Sequence, residues 1–275
     1  MLRIISLSQV QELHENIDEV TLARITSGQV ERLECLDGFD LIAFDWYDIF
    51  AQSSEPAQVL IYFSEQDLFF ICENAKCLKM VKEKTNELDT TEKTIAAFFV
   101  ELMKPDMDYL EKLEDEIGLL EDELILKSHT ECARDLIGFR RILTRLKKYY
   151  EQLNSIFEEF VENENNLISA EHLRYFKVLD NRVDRLFSSV KHLRDYVSQV
   201  REAYQAQVDI EQNKLMKVFT VITSIFLPLT LIVGWYGMNL KMPEFDWDYG
   251  YTMVIILSSA VFVFSMLMFK IKKWF

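Results

Sequence analysis

Charged residues disappear from two long stretches near the end of the chain. Residues 218 to 240 form a run of 23 residues without a charge, and residues 249 to 269 form another run of 21. A helix of about 20 apolar residues crosses the hydrocarbon core of a bilayer. The pattern therefore predicts two membrane-spanning helices.

The first span follows a long segment that has no helix-breaking residue. Neither Gly nor Pro occurs between Gly138 and Pro228, and a continuous helical pattern begins near Ser169. At about 1.5 Å per residue, a helix over residues 169 to 235 is about 100 Å long, and the bilayer requires only a third of it. We therefore predict a long cytosolic stalk helix that continues directly into the first span.

Two stripes run along this predicted helix at alternating steps of three and four residues. The first is apolar, as in a coiled-coil seam, and consists of Phe176, Leu179, Val183, Leu186, Val190, Leu193, Val197 and Val200. The second is polar or small in the stalk and consists of Asn181, Arg185, Ser188, His192, Asp195, Gln199, Glu202, Ala206, Asp209 and Asn213. Its register continues inside the span as Met216, Thr220, Thr223, Leu227, Thr230, Gly234 and Gly237.

The second stripe has two interpretations. Polar groups inside a membrane face a bundle interior or a water-filled path, so the stripe fits a pore wall. Thr and Gly also permit close packing between helices. We favour the pore. Because two spans cannot enclose a channel, a pore requires several identical copies, with the first span inside and the second facing lipid.

Basic residues flank both spans on the same side. Lys214 and Lys217 precede the first span, and Lys270, Lys272 and Lys273 follow the second. The short loop between the spans carries three acids, which are Glu244, Asp246 and Asp248. The excess of lysine predicts that both termini are cytoplasmic and that the protein lies in the inner (plasma) membrane.

Residues 1 to 105 have the mixed pattern of an α/β domain. Four β-branched or aromatic runs predict strands at Leu41–Phe44, Val59–Phe63, Leu68–Cys72 and Cys77–Val81. The polar segment Ser64–Asp67 is predicted to connect two strands as a hairpin. A helix is predicted from Thr90 or Thr91 through Leu102, before Pro105.

Strand patterns end after this domain. Residues 106 to 168 predict an acidic helical hairpin, with two helices between residues 107 and 162 that separate near residues 128 to 130 and a polar turn after them. The remaining divisions are the stalk helix at 169–217, the first span at 218–240, an external loop at 241–248, the second span at 249–269 and a basic cytosolic tail at 270–275. The predicted fold class is an α+β membrane protein.

Composition excludes several function classes. With 45 acids against 30 bases the formal charge is −15, which disfavours binding to nucleic acid. The seven glycines form neither a dinucleotide-binding nor a phosphate-binding loop, and the cysteines and histidines form neither C-x-x-C nor H-E-x-x-H. We therefore expect no enzyme activity, no bound cofactor and no nucleotide-driven transport.

Short motifs around the two spans indicate a family. The first span contains Pro228 in Phe-Leu-Pro-Leu-Thr and ends in Tyr-Gly-Met-Asn at residues 236–239. Met-Pro-Glu-Phe follows at 242–245, and Lys-Ile-Lys-Lys-Trp-Phe closes the sequence at 270–275. Together with the two C-terminal spans and the acidic body, this resembles the CorA family of divalent-cation transporters. The resemblance implies a funnel-shaped homopentamer that passes hydrated Mg2+, with Co2+ and Ni2+ as further substrates.

The resemblance also assigns roles along the second stripe. It implies an outer selectivity filter of Gly237, Met238 and Asn239, lower polar rings at Asn213 and Glu202, and a hydroxyl ring at Thr230. It implies hydrophobic constrictions at Met216, Phe219 and Leu227. Since Mg2+ sheds its inner waters reluctantly, the amides of Asn239 and Asn213 would contact the hydrated ion in its outer sphere.

The sequence departs from the family pattern in the stalk. Val178 stands where the family has an Asp that helps to bind regulatory Mg2+ between subunits, so no regulatory residues are assigned. We still expect cytosolic Mg2+ to bridge acidic copies and to close the pore. Two alternatives remain: a transporter of the same fold for Zn2+ or another divalent ion, and a membrane-tethered coiled-coil scaffold or sensor.

Overall fold

The computed structural model describes residues 1–28, 30, 32–51, 55–123, 129–239, 247–272 and 274. The chain divides into two compact units, Met1–Arg201 and Glu202–Phe275. The first unit contains the sheet and most of the helices. The second contains the end of the longest helix and the C-terminal helix.

Five strands of the first unit form one mixed sheet. They are β1 (Leu2–Ser6), β2 (Leu33–Leu36), β3 (Phe39–Trp46), β4 (Ala57–Ser64) and β5 (Leu68–Cys72), in the order β1-β5-β4-β3-β2. Only the edge pair β1–β5 is parallel. Ser64 and Asp67 close the β4–β5 hairpin through a backbone hydrogen bond of 2.9 Å, as the sequence predicts.

Seven α-helices and a 3-10 helix at Leu7–Leu13 are assigned in the described chain. The α-helices are α1 (Glu19–Ser27), α2 (Ala75–Lys84), α3 (Thr91–Leu102), α4 (Asp106–Asp122), α5 (His129–Glu162), α6 (Leu173–Tyr236) and α7 (Gly250–Ile271). The predicted start of α3 is confirmed, because the Thr90 side chain caps the helix by accepting from the Lys93 amide. Of the segment predicted to separate α4 from α5, residue 128 lies outside the described residues, and His129 is already the first residue of α5.

One strand prediction is wrong. Cys77–Val81 lies within α2, where Cys77, Met80 and Val81 share the buried face. Asn74 caps the helix by accepting a hydrogen bond from the Cys77 amide at 2.9 Å. The spacing of the apolar residues therefore follows the helical repeat, which cannot be distinguished from a strand pattern in so short an apolar run. The edge strands β1 and β2 were not predicted.

The apolar seam of the stalk packs against other helices of the same chain. Each of its eight positions, from Phe176 to Val200, is at most 7% exposed. The Phe176 ring packs 5.1 Å from that of Phe160 on α5, and the Tyr196 hydroxyl donates to Glu121 on α4 at 2.6 Å. The pattern typical of a coiled coil thus serves to attach α6 to the other helices of its own unit.

The start of α6 is tied to α3 by a polar cluster. The Glu92 carboxylate accepts from the Ser169 amide at 2.8 Å, and its other oxygen lies 2.8 Å from Nδ1 of His172. Both side chains are largely buried, with 12% of Glu92 and 17% of His172 exposed. The helix therefore begins at Leu173, four residues later than the pattern predicts, because Ser169 belongs to this turn.

Candidate functional site: the exposed stripe of the first membrane helix

The two C-terminal helices have the properties of membrane spans. Within the described residues, α6 and α7 are the helices that are long and apolar enough to cross a bilayer, with mean hydropathy of 2.1 and 2.3 in their most apolar windows. Only 11% of each window is buried in the chain. Most of the apolar surface of both helices therefore faces outward.

One face of α6 is covered by α7. Val221 and Ile225 of α6 are 5% and 7% exposed and pack against Phe269 of α7, which is 3% exposed. Leu229 lies beside them and is partly buried. This small apolar cluster determines which side of α6 the second span occupies.

The second stripe lies on the other side of α6. Residues of an α-helix are separated by about 100° around the axis, which places Thr223 and Thr230 roughly opposite Val221 and Ile225, and Thr220 about 100° from Val221 and about 140° from Ile225. In the second unit the stripe is exposed at every position: Glu202, Ala206, Asp209, Asn213, Met216, Thr220, Thr223, Leu227, Thr230, Gly234 and Gly237. The stripe is therefore not packed against the second span of its own chain.

Two threonine hydroxyls of the stripe have a defined direction. Thr220 donates its proton to the Met216 carbonyl oxygen at 2.7 Å, and Thr230 donates to the Phe226 carbonyl oxygen at 2.8 Å. Each hydroxyl proton is therefore used in a hydrogen bond to the preceding turn of the same helix. The hydroxyl oxygens retain lone pairs, so they can accept hydrogen bonds from water, including water polarised by a cation.

Three large apolar residues lie among these polar positions. Met216, Phe219 and Leu227 are 63%, 63% and 65% exposed in the single chain. Apolar residues at a narrow point of a pore can close it by expelling water. Their exposure fits the predicted constrictions, provided that neighbouring copies surround the same axis.

The helix ends where the predicted filter begins. The Gly237 amide donates to the Val233 carbonyl at 2.8 Å, and a Cβ at Gly237 would lie 2.8 Å from the same oxygen. No side chain fits at this distance without a shift of the backbone. A Cβ at Gly234 would meet nothing within 4 Å. Gly237 thus permits the close turn that leads to Asn239, an exposed residue.

The loop between the two spans, predicted to be external, is described only in part. Asp248 is exposed, and the Trp247 ring packs edge to face with Tyr249 at 6.4 Å. Glu244 and Asp246, together with the Met-Pro-Glu-Phe motif, lie outside the described residues. The loop residues therefore stay sequence predictions.

The part of the stripe that precedes the first span presents separate polar groups. Asp209 accepts a hydrogen bond from Gln205 at 3.2 Å, and Glu202 and Asn213 are exposed. In the portion of the chain that is described, no three His, Cys, Asp or Glu residues are grouped to hold a metal ion.

The residues that position the stripe were missed in the sequence. Val221, Ile225 and Phe269 decide which face of α6 is covered, but each lies in an almost uniformly apolar helix. Such a helix carries no periodic signal for its buried face. Their role is visible only in the packing.

Comparisons with known proteins identify relatives of the chain. The chain is 34% identical to the cobalt/magnesium transport protein CorA of Thermotoga maritima over 166 residues, which are 60% of this chain and 47% of the relative. It is 25% identical to the magnesium transport protein CorA of Helicobacter pylori over 218 residues, which are 78% of this chain and 66% of the relative. The chain thus spans about half to two thirds of the length of these curated relatives.

Solved structures show the same fold. The complete CorA magnesium transporter of Methanocaldococcus jannaschii matches with a TM-score of 0.79 and 19% identity, over 100% of this chain and 91% of that one. The full-length CmaX protein matches with a TM-score of 0.76 and 16% identity, over 99% and 88%. The family model described as "CorA-like Mg2+ transporter protein" matches residues 45–273. Because the match covers most of the sequence, from the end of β3 through α7, the chain belongs to the CorA-like Mg2+ transporter protein family.

Proposed function

We propose that identical copies of the chain form a ring, with the second stripe of α6 lining a path for a hydrated divalent cation. The observation that carries this proposal is the position of α7, which covers the face around Val221 and Ile225 and leaves the stripe uncovered. Lipid offers no hydrogen-bond donor to the threonine oxygens of the stripe, so contact with water suits them better than contact with lipid. A water-filled axis shared by several copies satisfies these groups.

The chemistry of the stripe suits an ion that keeps its water. Thr220 and Thr230 present acceptor oxygens, and Asn213 and Asn239 add amide oxygens at the two ends of the span. Water bound to Mg2+ donates hydrogen bonds, so rings of acceptors stabilise the hydrated ion without replacing its inner shell. We take Mg2+ as the principal substrate, as the family description and both curated relatives suggest. Co2+ and Ni2+ are further candidates.

The membrane potential is sufficient to drive uptake. A divalent cation that crosses about 100 mV gains about 4.6 kcal/mol, which corresponds to more than three decades in concentration. A potential that is negative inside draws the cation inward, and in the proposed orientation both termini are cytoplasmic in the inner membrane. Five copies are the number that the resemblance implies. Cytosolic Mg2+ is proposed to close the pore by reducing repulsion between acidic copies.

Ion flux tests the proposal directly. Purified protein in liposomes that contain a Mg2+-sensitive dye should show influx when a negative internal potential is imposed, and Asn239→Ala should abolish it. Absence of flux from the wild type would refute the transport assignment and favour the scaffold alternative. Flux that Asn239→Ala leaves unchanged would refute the filter assignment. Repeating the assay with Co2+, Ni2+ and Zn2+ identifies the preferred ion.

A further inference from the structure

Four exposed lysines lie at one end of the pair of spans, within the second unit. They are Lys214 and Lys217 on α6 and Lys270 and Lys272 at the end of α7. Phe269 packs in one cluster with Val221 and Ile225, so the last turn of α7 lies beside the first turns of the span in α6. Both pairs of lysines are therefore at the same end of the membrane-spanning region.

The two lysines of α6 lie on the side of the helix that α7 covers. With about 100° between successive residues, Lys217 is about 40° from Val221 around the axis, and Lys214 is about 20° from it. Val221 is only 5% exposed and belongs to the cluster with Phe269. Lys214 and Lys217 therefore continue the line of the contact with α7, and they do not belong to the second stripe.

No carboxylate forms an ion pair with any of the four lysines among the residues that the structure describes. The sequence has no acid at positions 212–240 and none after Asp248. The nearest acids on α6 are Asp209 and Glu211, which accept hydrogen bonds from Gln205 at 3.2 Å and from Gln207 at 3.4 Å. In a chain with a formal charge of −15, this end of the spans is a locally basic surface.

The segment after α7 turns back against the helix. The Trp274 amide donates to the Phe269 carbonyl oxygen at 3.1 Å, and the two rings pack at 5.6 Å. Trp274 is 37% exposed, and Ile271 beside it is 80% exposed. A tryptophan at the end of a span lies at the level of the lipid headgroups. This turn therefore keeps Lys272 close to the membrane surface.

We propose that the four lysines bind the headgroup phosphate of an anionic phospholipid, and that one headgroup is shared between the two helices. A phosphodiester carries a negative charge, and its oxygens accept hydrogen bonds from more than one ammonium group. Basic clusters between membrane helices select anionic lipids for this reason. A zwitterionic lipid offers the same phosphate beside a positive charge, which the lysines repel. The site lies within one chain, so it requires neither the ring of copies nor the ion path of the proposed function.

Native mass spectrometry of the full chain in detergent tests the site. Phosphatidylglycerol and phosphatidylcholine with the same acyl chains are titrated separately, and the fraction of protein with bound lipid is measured. Phosphatidylglycerol should bind at least tenfold more tightly, because several lysines contribute to the contact. An excess of inorganic phosphate should not displace it, since free phosphate has no acyl chains to pack on the apolar spans. Equal affinity for the two lipids, or displacement by inorganic phosphate, would overturn the inference.

Substitutions on both helices test whether the headgroup is shared. Lys217→Gln and Lys270→Gln should each weaken the binding of phosphatidylglycerol about fivefold, which is the contribution of one lysine near an anionic surface. Lys217→Arg and Lys270→Arg keep the charge and are the matched controls. Unchanged binding in either glutamine variant would overturn the shared site.

A further variant avoids any change inside a helix. Lys272 follows Ile271, the last residue of α7, so Lys272→Gln removes a charge without altering either span. It should also weaken the binding of phosphatidylglycerol about fivefold. Binding equal to that of the wild type would show that the end of the chain does not contact the headgroup, against the proposal. Ion flux is not measured in these experiments, so their outcome does not depend on the proposed function.

Discussion

The Tyr150 hydroxyl donates a hydrogen bond to the carboxylate of Asp106, with 2.9 Å between the two oxygens. Asp106 is the first residue of α4, and only 2% of it is exposed. Burial raises the pKa of this carboxyl group to about 6, although the Tyr150 hydroxyl and the nearby charges of Lys84 and Arg182 act in the opposite direction. The contact joins α4 to α5 in the first unit.

This buried acid predicts a pH-dependent stability. The pKa of Asp106 is about 6 in the folded protein, and its ordinary value is 3.8. Between pH 3.8 and pH 6, therefore, Asp106 is protonated in the folded protein and ionised in the unfolded chain. The contribution of Asp106 is fully present below pH 3.8 and is lost as the pH rises through 6, by up to about 3 kcal/mol. Asp106→Asn keeps an acceptor for Tyr150 and should remove this component. Urea unfolding of the wild type and of the variant between pH 4 and 7 measures this difference in the free energy of unfolding. If that free energy depends on pH in the same way in both proteins, Asp106 is not the source of the pH dependence.

Two substitutions of Thr220 test whether ion flux depends on its hydroxyl oxygen or on the volume of its side chain. Thr220→Val retains the volume but removes the oxygen that faces the proposed path, so Mg2+ flux should fall by about tenfold, since a hydrogen bond to a charged partner contributes about 1.5 kcal/mol or more. Thr220→Ser keeps the oxygen and is the matched control. Flux in liposomes provides the measurement. Equal flux in the valine and wild-type proteins would show that this hydroxyl does not contact the ion's water.

Two glycines near the end of α6 should respond differently to a methyl group. Gly237→Ala places a Cβ 2.8 Å from the Val233 carbonyl oxygen, and relief of this clash should cost about 1 to 3 kcal/mol. Gly234→Ala meets no neighbour within 4 Å and should be neutral or stabilising for the single chain. Thermal unfolding in detergent distinguishes the two. Similar melting temperatures for both variants would contradict the close turn at Gly237.

Loss of Glu92 should loosen the attachment of α6 to α3. Glu92→Ala removes the acceptor of the Ser169 amide and one of the two partners of His172, whose Nδ1 also lies 2.7 Å from the Ser169 hydroxyl, so the amide is left without its hydrogen bond. A destabilisation of about 1 to 3 kcal/mol is expected. Glu171→Ala changes an exposed acid close to the same turn and is the control. Hydrogen exchange at the first turn of α6 should increase only in the Glu92 variant. Unchanged exchange would show that Glu92 does not hold the start of α6 against α3.

Several features could be predicted from local pattern alone. The uncharged runs indicated both spans, and the Thr90 cap with the apolar residues after it indicated α3, because these signals depend on length, charge and neighbouring residues. The strand predicted at Cys77–Val81 failed because five residues are too few to distinguish the two periodicities. The seam from Phe176 to Val200 has the pattern of a coiled coil, but the pattern does not show that its partners are helices of the same chain.

What the sequence determined by itself is the chemistry of the long helix: which residues are polar, which are small, and where the charge ends. The tertiary structure decided which face of that helix remains uncovered. This choice depends on the shapes of Val221, Ile225 and Phe269, which fit together between two helices that are apolar on nearly every side. Hydropathy does not distinguish such faces, because side-chain packing depends on volume and shape. The proposed path for the ion therefore combines a pattern present in the sequence with a packing arrangement that only the folded chain reveals.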